Sequence, residues 1–97
     1  MEKSSCYEVV KSLGVTTSSF KILCHLAFSQ GSQKPGEISQ KLDMKPGTVR
    51  ARLSELKETG LVSSEGEGYV SNITPYDIII RIYEEIKYEL KEAKGRE

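Results

Sequence analysis

Between Pro46 and Ile73 the spacing of apolar side chains changes its period, and this change constrains the fold more than any other feature of the chain. Val49, Leu53 and Leu56 recur at intervals of four and three, the repeat of one helix face, and Gly60 stops the run. Leu61-Val62-Ser63-Ser64 and Tyr69-Val70-Ser71-Asn72-Ile73 follow as two short β-prone runs. They flank Glu65-Gly66-Glu67-Gly68, four residues with two glycines, which predicts a hairpin.

Upstream, Cys6, Val9, Val10 and Leu13 recur at helical spacing and Gly14 follows as a stop. Thr16 and Thr17 supply caps for a helix carrying Phe20, Leu23, Cys24, Ala27 and Phe28, closed by Gly31. Its stripe is wide enough to be central to the core. Pro35 and Gly36 open a short helix with Ile38 and Leu42 that ends at Asp43. Met44-Lys45-Pro46-Gly47 is then a turn, with Pro46 at an early helical position where its missing N–H costs nothing.

Downstream, Thr74-Pro75-Tyr76-Asp77 caps a long helix from Pro75 to Lys94, roughly 30 Å at about 1.5 Å per residue. The expected fold is mainly α with a small β-hairpin (α+β), in the order of a winged helix-turn-helix with a long C-terminal helix. Residues 1–73 form the winged unit in this scheme, and residues 74–97 the appended helix.

At 97 residues the chain has room for one core. Its 37% apolar and 29% charged residues are ordinary for a globular domain and argue against disorder. No unbroken apolar run exceeds three residues, as in Ile78-Ile79-Ile80, whereas a membrane span needs about 20 such residues and a signal peptide about 7–15. Cys6 and Cys24 cannot make a disulfide framework, and no CxxC or Cys/His ligand pair occurs, so no metal is expected. Both thiols are expected to be buried and inert. His25, the sole histidine, lies inside the apolar-periodic segment Phe20–Phe28 and is expected to be a packed helix residue. With no recognised catalytic spacing present, the expectation is a soluble, cytoplasmic, cofactor-free protein that is not an enzyme.

Fourteen cations balance fourteen anions, but they are not evenly spread. Residues 44–57 carry Lys45, Arg50, Arg52 and Lys57 against Glu55, a net +3, while residues 58–77 carry Glu58, Glu65, Glu67 and Asp77 with no cation, a net −4. With Val49 turned inward and 100° per residue, Gly47, Ala51, Ser54, Glu55 and Glu58 point away, and Thr48, Arg50 and Arg52 lie on the flanks. Small outward residues let a backbone approach a groove, and Thr48 and Ala51 can touch a thymine methyl. Arg50 and Arg52 can take guanine edges bidentately or clamp phosphates, and the sequence leaves both open. Lys45 at the turn suits a phosphate, with Lys34 and Lys57 as further phosphate candidates. Glu65 and Glu67 at the hairpin tip would repel phosphates, so either the wing stays off DNA or the domain meets a protein.

The residues Leu13-Gly14-Val15-Thr16, Gly36-Glu37-Ile38-Ser39 and the run from Thr48 to Val62 resemble the TrmB-like group of winged-helix transcription regulators. That group has a leucine–glycine–aliphatic–threonine lead and a glutamate–isoleucine helix. Its recognition helix ends in leucine, polar residues, glycine, leucine and valine. Related MarR-like and ArsR-like winged helices share several of these elements. The similarity covers residues 12–90. It implies sequence-specific binding of double-stranded DNA as a dimer, with contacts from Thr48, Arg50, Ala51 and Arg52. Arg50 departs from the aromatic residue often found there, and with the sequence stopping at Glu97 the effector domain of longer members is not expected.

In the last helix Tyr76, Ile79, Tyr83, Ile86, Leu90 and Ala93 recur at spacings of three and four, and Ile78 and Ile82 widen the stripe over its first half. The broad half suits packing on the domain's own core and the narrow half a two-helix seam. The expected homodimer interface is therefore Ile79, Ile82, Tyr83, Ile86, Leu90 and Ala93. Together these readings predict a small dimeric regulator that binds duplex DNA through the helix at 46–59. The alternative is a winged helix that docks a protein through its acidic hairpin and C-terminal helix.

Overall fold

The computed structural model describes residues 13–95, with side chains described through Leu90. The helix expected over Cys6–Leu13 lies outside them apart from Leu13, as do Tyr7 and the Ala93 side chain. Among the described residues, four helices and an antiparallel hairpin make a winged helix-turn-helix with a C-terminal helix. These are α1 (Ser18–Ala27), α2 (Pro35–Leu42), α3 (Pro46–Glu58), β1 (Val62–Glu65), β2 (Gly68–Ser71) and α4 (Pro75–Gly95).

Helix α1 starts where its cap allows. The Phe20 amide donates to Thr17 Oγ1 at 3.2 Å, and the Thr17 hydroxyl donates to the Gly14 carbonyl at 2.8 Å. Phe20, Ile22, Leu23 and Leu26 are buried, and α1 packs against α2, α3, β2 and α4. It is the hub of the core.

Helix α2 buries Ile38, and Asp43 ends it in the left-handed region at φ 54°. The Met44 amide then donates to the Ser39 carbonyl at 3.0 Å, which tightens the turn into α3. Pro46 occupies the first position of α3. Val49, Leu53 and Leu56 are sealed beneath it at 0, 1 and 2% exposure. At its far end Gly60 adopts φ 84°, and the Leu61 amide returns to the Leu56 carbonyl at 2.9 Å. Both of those leucines are buried, so the helix stop also fixes where the hairpin leaves.

The hairpin turn is tighter than its sequence suggests. Glu65 pairs with Gly68, so only Gly66 and Glu67 form the loop. Gly66 at φ 61° supplies the positive angle that the first loop residue of a type II′ turn needs. The register continues through Ser64 with Tyr69, Ser63 with Val70 and Val62 with Ser71. Asn72 closes the base: its amide donates to the Leu61 carbonyl at 2.8 Å and its Nδ2 to the Gly60 carbonyl at 2.8 Å.

A third segment joins the wing that no periodicity announced. Gln33 bridges Tyr69 in antiparallel fashion, with amide-to-carbonyl bonds of 3.0 and 2.8 Å in the two directions. Because Gln33 lies two residues before the start of α2, this bridge pins the wing to the helix-turn-helix. The approach is so close that a Cβ at residue 68 would lie 2.7 Å from the Gln33 carbonyl oxygen.

Helix α4 opens with reciprocal capping. The Asp77 amide donates to Thr74 Oγ1 at 3.2 Å, and the Thr74 amide donates to Asp77 Oδ2 at 2.9 Å. The expectation that its broad first half packs on the core holds for Ile78 and not for Tyr76, Ile79, Ile82 or Tyr83, which are exposed. What faces inward instead is Ile78 followed one turn later by Arg81, 9% exposed. Arg81 donates to Glu85 at 3.0 Å and to the Leu13 carbonyl at 2.9 Å, tying α4 to the segment before α1.

The Gln33 contact makes a direct prediction. Gly68→Ala should destabilise the protein by about 1–3 kcal/mol, the usual cost of forcing volume into a packed site. Gly36→Ala, inside α2 with nothing within 4 Å of its Cβ, should leave stability unchanged or raise it by up to about 1 kcal/mol. Urea unfolding of the two variants measures both.

Candidate nucleic-acid interface

Burial divides α3 into two faces. Opposite the sealed stripe, Gly47, Thr48, Arg50, Ala51 and Ser54 are all exposed, as is Lys45 in the N-terminal cap position. The exposed residues near the helix start are small, apart from Arg50. Among the described residues Arg50 has no carboxylate partner. Lys57, in the last turn, is also exposed.

Arg52 is placed differently. It is half-buried, and its Nη2 contacts Glu55 Oε2 at 3.0 Å across a single turn. Its Nε is buried without a hydrogen-bond partner, so the guanidinium lies down along the helix. The two arginines that the sequence treats alike therefore differ: Arg50 is free to reach outward, and Arg52 is held by its own helix. The three-residue spacing of Arg52 and Glu55 was the available signal for this pairing.

Lys34, exposed at the start of α2, meets Glu67 of the hairpin tip at 3.2 Å. Its amide donates to Glu37 Oε1 at 2.8 Å, which fixes the backbone from which the side chain extends. The wing tip thus carries two exposed carboxylates, Glu65 and Glu67, of which Glu67 is shared with a lysine of the helix-turn-helix.

The other exposed feature is apolar. Tyr76, Ile79, Tyr83, Ile86 and Leu90 are 53–69% exposed and Ile82 39%, along one side of α4. Lys87 lies over the Tyr83 ring, 5.9 Å from its centroid. No helix of the described residues is long and apolar enough to cross a membrane.

Comparison with known families agrees with this architecture. Residues 20–64, from α1 into β1, match the family model described as "Bacterial regulatory protein, arsR family". The match supports a DNA-binding transcription regulator of a non-enzymatic kind. Neither the curated proteins nor the solved structures give a significant match to the chain.

The chemically reactive groups of α1 lie away from this face. His25 is half-buried, with Nε2 3.4 Å from Gln33 Oε1 behind the wing bridge. Cys24 is a free, half-buried thiol packed against the core, and burial pushes its pKa above the ordinary value. The thiolate that attacks electrophiles is consequently scarce at neutral pH and grows only as pH rises past the usual thiol range. Native Cys24 should alkylate more slowly than the same thiol in urea, with the ratio of rates closing only as pH rises past the ordinary thiol range. Mass spectrometry of iodoacetamide-treated protein, resolving Cys24 from Cys6 by peptide, measures both rates; equal rates would contradict the assignment.

Proposed function

We propose that this protein is a homodimeric transcription regulator that binds double-stranded DNA with α3 in the major groove. The observation that carries the reading is the division of α3: Val49, Leu53 and Leu56 are sealed below, and Thr48, Arg50, Ala51 and Ser54 stand open above. A helix braced in this way can enter a groove about 12 Å wide without giving up core contacts. Arg50, exposed and without a carboxylate partner among the described residues, takes the base-reading role, with Thr48 and Ala51 against thymine methyls. Arg52, already held by Glu55, together with Lys45 and Lys57, serves the phosphates. The similarity to TrmB-like regulators and the arsR-family match support the same class of activity.

Dimerisation rests on α4. Ile79, Ile82, Tyr83, Ile86 and Leu90 form a continuous apolar strip, with Ala93 as its continuation in the sequence repeat. A second copy covers it with the same strip, because a twofold interface is self-complementary. Two recognition helices about 34 Å apart would then meet successive major grooves. The cytoplasm is the compartment such a regulator works in.

Three measurements test the proposal. Arg50→Ala should cost about 1–3 kcal/mol on a selected operator and relax discrimination at one base pair. Arg52→Ala should weaken all duplexes alike and lower the salt slope by less than the value of about 0.9 for an unpaired cation, because Glu55 already holds part of its charge. Light scattering should give a dimer for the wild type and a monomer for Ile86→Asp. Failure of the wild type to shift mixed genomic fragments at low salt would instead favour a protein partner at the exposed acidic tip, Glu65 and Glu67.

A further inference from the structure

We infer that Glu67 limits the sequence-independent part of DNA affinity by occupying Lys34. The inference rests on the DNA-binding reading above and adds to it a role for the wing.

Lys34 is the last residue before α2, the first helix of the helix-turn-helix, which in this motif crosses the phosphate backbone while the second enters the groove. A lysine there lies on the side of the molecule from which phosphates approach. Its charge is instead spent on Glu67, with Nζ 3.2 Å from Oε1. The pairing does not depend on chance meeting of two long side chains. Gln33 and Tyr69 exchange two backbone hydrogen bonds of 3.0 and 2.8 Å, one residue from Lys34 and two from Glu67. The close fit of Gly68 against Gln33 holds the same strands together, and Glu37 fixes the Lys34 amide. Both side chains are otherwise open to solvent, at 61 and 83% exposure, so the effect of the pair on affinity is severalfold and no larger.

The consequence is an electrostatic one. A lysine that neutralises a phosphate releases counterions and steepens the salt dependence of binding by about 0.9 per contact. While Glu67 holds Lys34, the second partner has to be displaced first, and the carboxylate itself remains beside the DNA. Phosphate contacts carry no base information, so Glu67 lowers affinity for every duplex equally. The acidic wing then contributes by subtraction.

The test is a double-mutant cycle on the full chain, read as salt-dependent binding to a selected operator fragment and to an unrelated duplex of equal length. Glu67→Gln should tighten both duplexes severalfold at low salt and by the same factor. It should steepen the slope of log K against log salt by about one. Lys34→Gln should remove that gain in the Glu67→Gln background and do little in the wild type. An unchanged slope in Glu67→Gln, or a gain that survives Lys34→Gln, would overturn the inference. A wild type that binds neither duplex would instead remove the DNA-binding reading on which it rests, and with it this role for Glu67. Matched urea midpoints for the two single variants exclude a folding effect.

Discussion

The stripe of Val49, Leu53 and Leu56 is the interaction on which the rest of the structure depends. These side chains are almost completely removed from water, and they lock α3 onto α1 and the opening of β1. Truncating any one to alanine should cost a few kcal/mol, about 2–5 for the leucines, a large share of a small domain's stability. Because all of the helix's apolar side chains but Ala51 are spent on that one side, everything opposite can be small, polar or cationic. The exposed face of α3 is a product of the core, and its orientation is only as rigid as that packing.

Two further constraints position this face. The helix stop at Gly60 joins α3 to the hairpin through Leu61, and Asn72 ties the hairpin base back to the same residues. The Gln33–Tyr69 bridge then anchors the other side of the hairpin to the entry of α2. The wing is therefore held at both ends of the helix-turn-helix. Its acidic tip sits where it does for reasons of backbone hydrogen bonding, and the Lys34–Glu67 contact follows from that placement.

Most of the fold was legible because local signals and burial agree. Thr17, Pro35, Pro46, Gly60 and Thr74 each mark a boundary for a stated stereochemical reason, and the observed helices begin or end beside them. The candidate face of α3 was legible for the same reason, since a 100° step from Val49 separates buried from exposed correctly. Pairings between segments were not. Gln33 carries no β-signal of its own and is recruited by the strand it meets. Arg81 was passed over because a charged residue breaks the apolar count, although Ile78, Arg81 and Glu85 lie at spacings of three and four on the inner side of α4. Its Nη1 meets a carboxylate and its Nη2 a carbonyl 68 residues away, a partner invisible to any local window, while its Nε stays buried without a partner. The hairpin turn was overestimated because Glu65 and Gly68 look like loop residues yet pair across it.

Amide chemical-shift mapping during titration with a selected operator fragment distinguishes whether the outer face of α3 is the surface that meets duplex DNA. The largest changes should fall on Thr48, Arg50, Ala51 and Ser54, with smaller ones at Lys45 and Lys34 and none at the sealed leucines beyond those of their neighbours. Changes centred on the wing tip and α4, with the α3 amides unmoved, would contradict it.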